Sequence, residues 1–225
     1  MNDILALLNA KTAGERLLNL RRLRPETALP PMGTDVNNHI HTTYSFSPYS
    51  PTAAAYMARK AALATAGIMD HDAIAGAREF LQACEILGLG GTCGLECRVS
   101  FAGTRLEGRR INNPDQEGVA YVLLHAVPHR QIETVDAFFA PLREKRNARN
   151  RRMLQRLNGL LSGTGLCLDF DRDVLPLSQA ADGGSVTERH LSSALAYALK
   201  AKAGRGGELI AFLERTFDRP VHEKY

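Results

Sequence analysis

Short apolar runs that each stop on a histidine or an acid recur along this chain, with helical stretches between them. That alternation limits the folds open to it. Asp35 to Ser45 reads as a short strand running into a loop. Gly67 to Asp72 reads as a buried strand, Thr92 to Phe101 as a strand containing Glu96, and Val119 to Val127 as an apolar strand closing around His125. Strands alternating with helices argue for an α/β domain built on parallel strands.

Leucines recur on one face from residue 2 to 24, with Arg21, Arg22 and Arg24 at the exit, where cations complement the helix dipole. Pro25, Pro30 and Pro31 then make residues 25 to 33 a linker. Residues 1–30 are expected to form a helical extension, packed on the domain or serving as a contact for another chain, and residues 31–225 the main domain. Ser50 and Pro51 suit the start of an alanine-rich helix from Thr52 to Thr65, stopped by Gly67. Asp72 is placed to cap a helix from Ala73 to Leu87, which Gly88 closes. Arg105 to Ile111 is expected to return as a hairpin or an irregular excursion.

A long helix is expected over 132–161, with Phe138, Phe139, Leu142, Met153, Leu154 and Leu157 toward the core. Its other face carries Arg143, Lys145, Arg146, Arg149, Arg151 and Arg152, either a solvated face or a track for a nucleic-acid backbone. No aromatic platforms interleave those cations, as single-strand recognition would require. Residues 162–186 are turn-rich. Thr187 can cap a helix running through His190 to about Lys202, and a short helix is expected over 207–216.

The net charge of +4 and pI near 9.0 suit a phosphate-bearing substrate or a nucleic acid. Cys84, Cys93, Cys97 and Cys167 fit neither a disulfide framework nor a C-x-x-C zinc spacing, which favours a reducing cytosol. No apolar run reaches the roughly 20 residues a membrane span needs, and no basic segment precedes the first apolar residues. A cytoplasmic location is expected.

The chemistry gathers at strand ends. In an extended backbone residues i and i+2 share a face, so His39 and His41 can reach one ion while Ile40 turns away. Asp70-His71-Asp72, Glu96 and His125 close the later strands. In α/β barrels the carboxyl ends of the strands form one rim, and imidazoles with a carboxylate make a nitrogen–oxygen site suited to Zn, Mn or Fe. No serine or cysteine sits in a recognisable nucleophile turn.

His39-Ile-His41-Thr-Thr, followed by Gly67-Ile-Met-Asp70-His71-Asp72-Ala-Ile-Ala-Gly76, resembles the first two motifs of the polymerase and histidinol phosphatase (PHP) superfamily. Gly94-Leu95-Glu96 is similar to its third motif. The resemblance implies a distorted (β/α)7 barrel of TIM type, here incomplete toward its C-terminus. It also implies two or three divalent ions (Mn, Zn or Fe) and phosphoester hydrolysis by hydroxide formed on the metal. His39, His41, His71, Glu96 and His125 would be metal ligands, with Glu96 bridging. Asp70 would orient a ligand or a water, and His190 would contact substrate phosphate. The substrate would be a nucleotide, an oligonucleotide or a small phosphomonoester.

The chain departs from the pattern at Phe46, where the phosphoesterase branch has an aspartate, and at Met69 in place of threonine. After residue 200 only His222 is available, and it matches neither the late histidine nor the closing Asp-x-His. The chain is then either a fragment or truncated relative, or one whose closing strands have diverged. An alternative reading follows: a degenerate or truncated module that binds metal without turnover and serves a structural or partner-binding role. A basic nucleic-acid-binding protein is a third reading.

Overall fold

The computed structural model describes residues 2–23, 28–114, 116–218 and 220–221. The expectations placed on Arg24, Pro25 and His222 lie outside these. The chain divides into two compact units. One comprises the residues through Arg143 together with Gln179–Ser185, and the other comprises Glu144–Ser178 together with the residues from Val186 onward.

The first unit opens with two helices, α1 (Asn2–Leu8) and α2 (Ala13–Leu23), where leucine periodicity predicted one. The break has a local cause. Thr12 and Glu15 cap α2 reciprocally: the Thr12 amide donates to Glu15 Oε2 at 3.0 Å and the Glu15 amide to Thr12 Oγ1 at 3.3 Å. Strand β1 (Val36–Ile40) leads to helix α3 (Pro51–Lys60), whose Ser50 cap accepts from the Ala53 amide. The buried alanines Ala53, Ala54, Ala55 and Ala58 let α3 approach helix α4 (Ala77–Leu87) closely.

The Arg16 guanidinium ties α2 to this pair. It donates to both oxygens of Glu79 on α4 at 2.8 and 2.5 Å, while the Thr52 amide and hydroxyl donate to Glu79 Oε1 at 3.1 and 2.6 Å. From the turn after α1, Asn9 hydrogen-bonds both the Pro48 carbonyl and the Ser50 amide.

Two helix boundaries differ from expectation. Gly67 does not stop a helix; it lies inside strand β2 (Thr65–His71), where a Cβ would come within 2.9 Å of the Asn38 backbone. Asp72 does not cap α4. It adopts a left-handed φ of 50°, its amide donates to the Glu96 carbonyl at 2.8 Å, and α4 starts four residues later than Ala73 at Ala77, behind Gly76.

Strand β3 (Gly90–Ser100) pairs parallel to β2, which pairs parallel to β1. Strand β4 (Val119–Leu124) pairs antiparallel to β3, with Glu96 opposite Leu123 and Arg98 opposite Tyr121. The expectation of an all-parallel sheet is thereby corrected. A parallel return needs a crossover, usually helical, whereas the stretch between β3 and β4 turns on Gly103, Gly108 and Gly118 and closes through the Phe101 amide on the Gly118 carbonyl. Gly94 sits at the tightest point of this pairing: a Cβ there would lie 2.0 Å from the Leu124 carbonyl oxygen. Among the described residues the sheet has four strands in the order β1-β2-β3-β4. The seven-stranded barrel is not formed by them.

Helix α5 (Ile132–Leu160) runs from the first unit into the second. Phe139 and Leu154 are buried, but Phe138, Leu142 and Met153 are exposed, against expectation. Adjacent residues lie about 100° apart around a helix, and here the turn that buries Phe139 and Leu154 points their neighbours Phe138 and Met153 to solvent. In the second unit helix α6 (Glu188–Ala203) is capped by Thr187 as predicted, followed by α7 (Gly207–Phe217). The arginines of α5 there meet acids: Arg146 and Arg149 pair with Glu188, and Arg151 forms a two-pronged bond to Asp171. Among the described residues no helix is long and apolar enough to cross a membrane.

Candidate metal centre

Four of the predicted ligands meet where β1 and β2 end beside the middle of β3. His39 lies on β1 and His41 one residue past its end; His71 ends β2, and Glu96 faces it across the β2–β3 register. Three imidazoles converge on a single oxygen, Glu96 Oε2: His39 Nε2 at 3.0 Å, His41 Nε2 at 3.5 Å and His71 Nδ1 at 3.7 Å. The His41 and His71 rings stack with centroids 4.6 Å apart, and the His39 ring meets His41 edge-on. The Glu96 side chain is 12% exposed and that of His39 is 44% exposed, so the group is anchored in the sheet and open to solvent on one side.

This donor set fits a cation. Ligand atoms bound at about 2.0–2.2 Å lie roughly 3–3.6 Å apart along the edges of a coordination polyhedron, and the three separations from Glu96 Oε2 fall close to that range. The donor atoms of His39, His41 and Glu96 all lie within 4.8 Å of one another. Imidazole nitrogens with a carboxylate suit Zn, Mn or Fe.

Asp70, just ahead of His71, is buried and receives three hydrogen bonds: from the Thr42 amide at 2.6 Å, the Thr42 hydroxyl at 2.5 Å and the Ser45 hydroxyl at 2.6 Å. Burial pushes its carboxyl up to about 6, and those bonds pull the other way. Ser45 Oγ also lies 3.5 Å from His41 Nδ1, the ring nitrogen away from Glu96. A link from ligand imidazole through hydroxyl to carboxylate sets which nitrogen carries the proton and holds the ring.

His125 does not join this group. It follows Leu124, which lies opposite Leu95, so it falls one step beyond Leu95 on the side away from Glu96, exposed to solvent. The antiparallel direction of β4 is the reason: its carboxyl end points away from the ends of β1 and β2. His190 lies in the second unit, where its buried ring accepts the Thr187 amide at Nδ1 and completes the cap of α6. Burial lowers its pKa to about 4. Phe46 follows Ser45 in the half-buried loop after β1.

Sequence reasoning gave no role to Thr42 or Ser45. Thr42 and Ser45 stand inside the first motif, so the signal was present.

Neither a protein-family model nor a curated protein matches the sequence. Solved structures do. One is a protein assigned as a metal-dependent phosphoesterase from Bifidobacterium adolescentis, with a TM-score of 0.55 and 23% identity over 83% of this chain and 57% of that one. Another is an amidohydrolase from Chromobacterium violaceum with bound sulfate and no metal, with a TM-score of 0.54 and 16% identity over 85% of this chain and 56% of that one. The chain is similar in fold to both. It spans a little over half the length of each.

Proposed function

We propose that the chain carries a phosphoesterase site of the PHP type, hydrolysing a phosphorylated small molecule or nucleotide. One observation carries the reading: imidazoles from β1, from the loop behind it and from β2 reach the same oxygen of Glu96 on β3. Three imidazoles beside one carboxylate are a costly arrangement for packing alone, and a natural one for holding a divalent ion.

A bound cation would supply a Lewis acid for the phosphoryl oxygens and lower the pKa of water so that it attacks near neutral pH. The residues supply the rest. His39, His41 and His71 offer neutral nitrogen donors, and Glu96 offers the negative charge. Ser45 transmits the Asp70 carboxylate to His41, keeping Nε2 of that ring free of its proton and turned toward Glu96. The resemblance implies two or three ions; the donors grouped here suffice for one.

A second reading, a metal-binding module without turnover, draws support from His125 standing away from the cluster. Metal analysis of the purified chain, followed by a p-nitrophenyl phosphate assay with added Mn²⁺, separates the two. The phosphoesterase reading expects bound metal and turnover that His39→Ala and His71→Ala abolish. Bound metal with no turnover on phosphomonoesters or phosphodiesters selects the second reading, and absence of bound metal refutes both.

A further inference from the structure

Resting on the reading of the cluster as a metal centre, we infer that Arg143 is its positioning residue: by holding the backbone turn at Asp72 it keeps His71 and Glu96 aimed at one ion.

Strand β2 ends at His71, opposite Glu96 in the β2–β3 register. The next residue, the buried Asp72, turns the chain aside with a φ of 50°. That left-handed conformation is uncommon for a residue with a Cβ and persists where its surroundings enforce it. Here both the amide and the carbonyl of Asp72 are held. The amide donates to the Glu96 carbonyl at 2.8 Å, adding a rung beside the ligand. The carbonyl accepts from Arg143 Nη1 at 3.2 Å. The β1–β2 register stops at Ile40 and Ile68, four residues earlier, so this carbonyl is met from α5 rather than from a strand.

The setting of Arg143 suits that task. Its side chain is 11% exposed, and the same Nη1 donates to Asp136 Oδ1 at 2.9 Å. Asp136 lies seven residues earlier on α5, two turns back and on the same face, where it fixes the guanidinium and supplies its countercharge. An uncompensated guanidinium beside a cation site would oppose the ion, whereas a paired one can hold a backbone oxygen without that cost. The turn acts on two ligands at once, through the peptide that follows His71 and through the carbonyl of Glu96. Were Asp72 to relax to an ordinary negative φ, its amide would swing off that carbonyl. The separation of His71 Nδ1 from Glu96 Oε2, 3.7 Å in the held arrangement, would no longer be fixed.

Calorimetric titration of the full chain with Mn²⁺ tests this without needing turnover. Arg143→Met, which keeps the apolar stem and removes the donors, should weaken Mn²⁺ binding ~10-fold. Asp72→Gly should bind within about twofold of wild type, because glycine adopts positive φ readily. The decisive variant combines them. Glycine takes the turn without support, so the double variant should stay within about twofold of Asp72→Gly. A merely structural arginine would show the same loss in both backgrounds. Arg143→Lys keeps a donor and covers the case in which Arg143→Met does not fold; it should lose about fivefold, and that loss too should vanish beside Asp72→Gly. The inference is overturned if Mn²⁺ affinity is unmoved in Arg143→Met or, should that variant not fold, in Arg143→Lys. It is equally overturned if the loss persists in full in the glycine background, or if Asp72→Gly itself abolishes binding. Wild type that binds no Mn²⁺ refutes the metal centre and this inference with it. Wild type and Arg143→Met that bind Mn²⁺ alike leave the metal centre standing and end only the role of Arg143.

Discussion

Two glutamates of the first unit are nearly buried, and their surroundings could hardly differ more. Glu79 is met by a guanidinium, a backbone amide and a hydroxyl, all fixed donors. Its side chain and that of Arg16 are 5% and 7% exposed. Glu96, among the described residues, is met by three imidazoles, which carry charge only when protonated. The first carboxylate is compensated by the protein itself at every pH where it is ionised. The second is compensated conditionally, which is the observation behind the metal site proposed above. Closed compensation marks a structural joint; conditional compensation leaves a charge that the proposed metal would meet.

The largest effect should come from breaking the closed case. Arg16→Met leaves Glu79 buried without its countercharge and should cost about 3–5 kcal/mol in chemical denaturation, whether or not metal is present. Adding Glu79→Leu should recover part of that loss. Next comes the open case. Mn²⁺ at a hundredfold excess over its dissociation constant should stabilise the wild type by about 2.7 kcal/mol, seen as a rise of several degrees in melting temperature. Glu96→Gln should abolish that rise while changing the metal-free melting temperature little. If Glu96→Gln instead destabilised the metal-free chain as much as Arg16→Met, the distinction between the two glutamates would collapse.

Ser45→Ala is a finer probe, since it removes only the connection between Asp70 and His41. It should weaken Mn²⁺ binding ~10-fold by titration, the low end for a partner that orients a ligand. The smallest effect sharpens the comparison with a third treatment of a buried ionisable group, neutralisation. Burial holds His190 near pKa 4, below the 6.5 of a free imidazole. The unfolded chain therefore binds more protons than the native one between those values. Stability from this group is fully present above pH 6.5 and is lost as pH falls through about 4, with a slope of at most ~1.4 kcal/mol per pH unit. Denaturation midpoints measured across pH 4–7 should show that slope in wild type and a flatter line in His190→Asn.

What could be read from the sequence was what local chemistry decides. His39 and His41 share a face by strand period alone, and His71 and Glu96 each lie in an apolar strand whose neighbours are near in sequence. The direction of β4 was not local. A parallel return and a hairpin are compatible with the same apolar run at Val119–Leu124, and the turns between decide it. His125 was misplaced for that reason. Asp72 and Gly67 were misread because a cap residue and a helix stop are defined by backbone conformation: Asp72 adopts a left-handed turn and Gly67 is wedged in a strand. The split between α1 and α2 was written in Thr12 and Glu15, but unbroken leucine spacing masked it.

The crowding at Gly94 has a consequence for how this chain can vary. With the Leu124 carbonyl where a methyl group would need to be, position 94 acts as a latch that sets which residue of one hairpin arm looks at which residue of the other. An alanine there would have to prise the arms apart, slipping Tyr121 away from Arg98 while leaving every histidine of the cluster chemically intact. The tolerance of this one glycine to replacement is thus a gauge of how closely the two arms of the hairpin must approach.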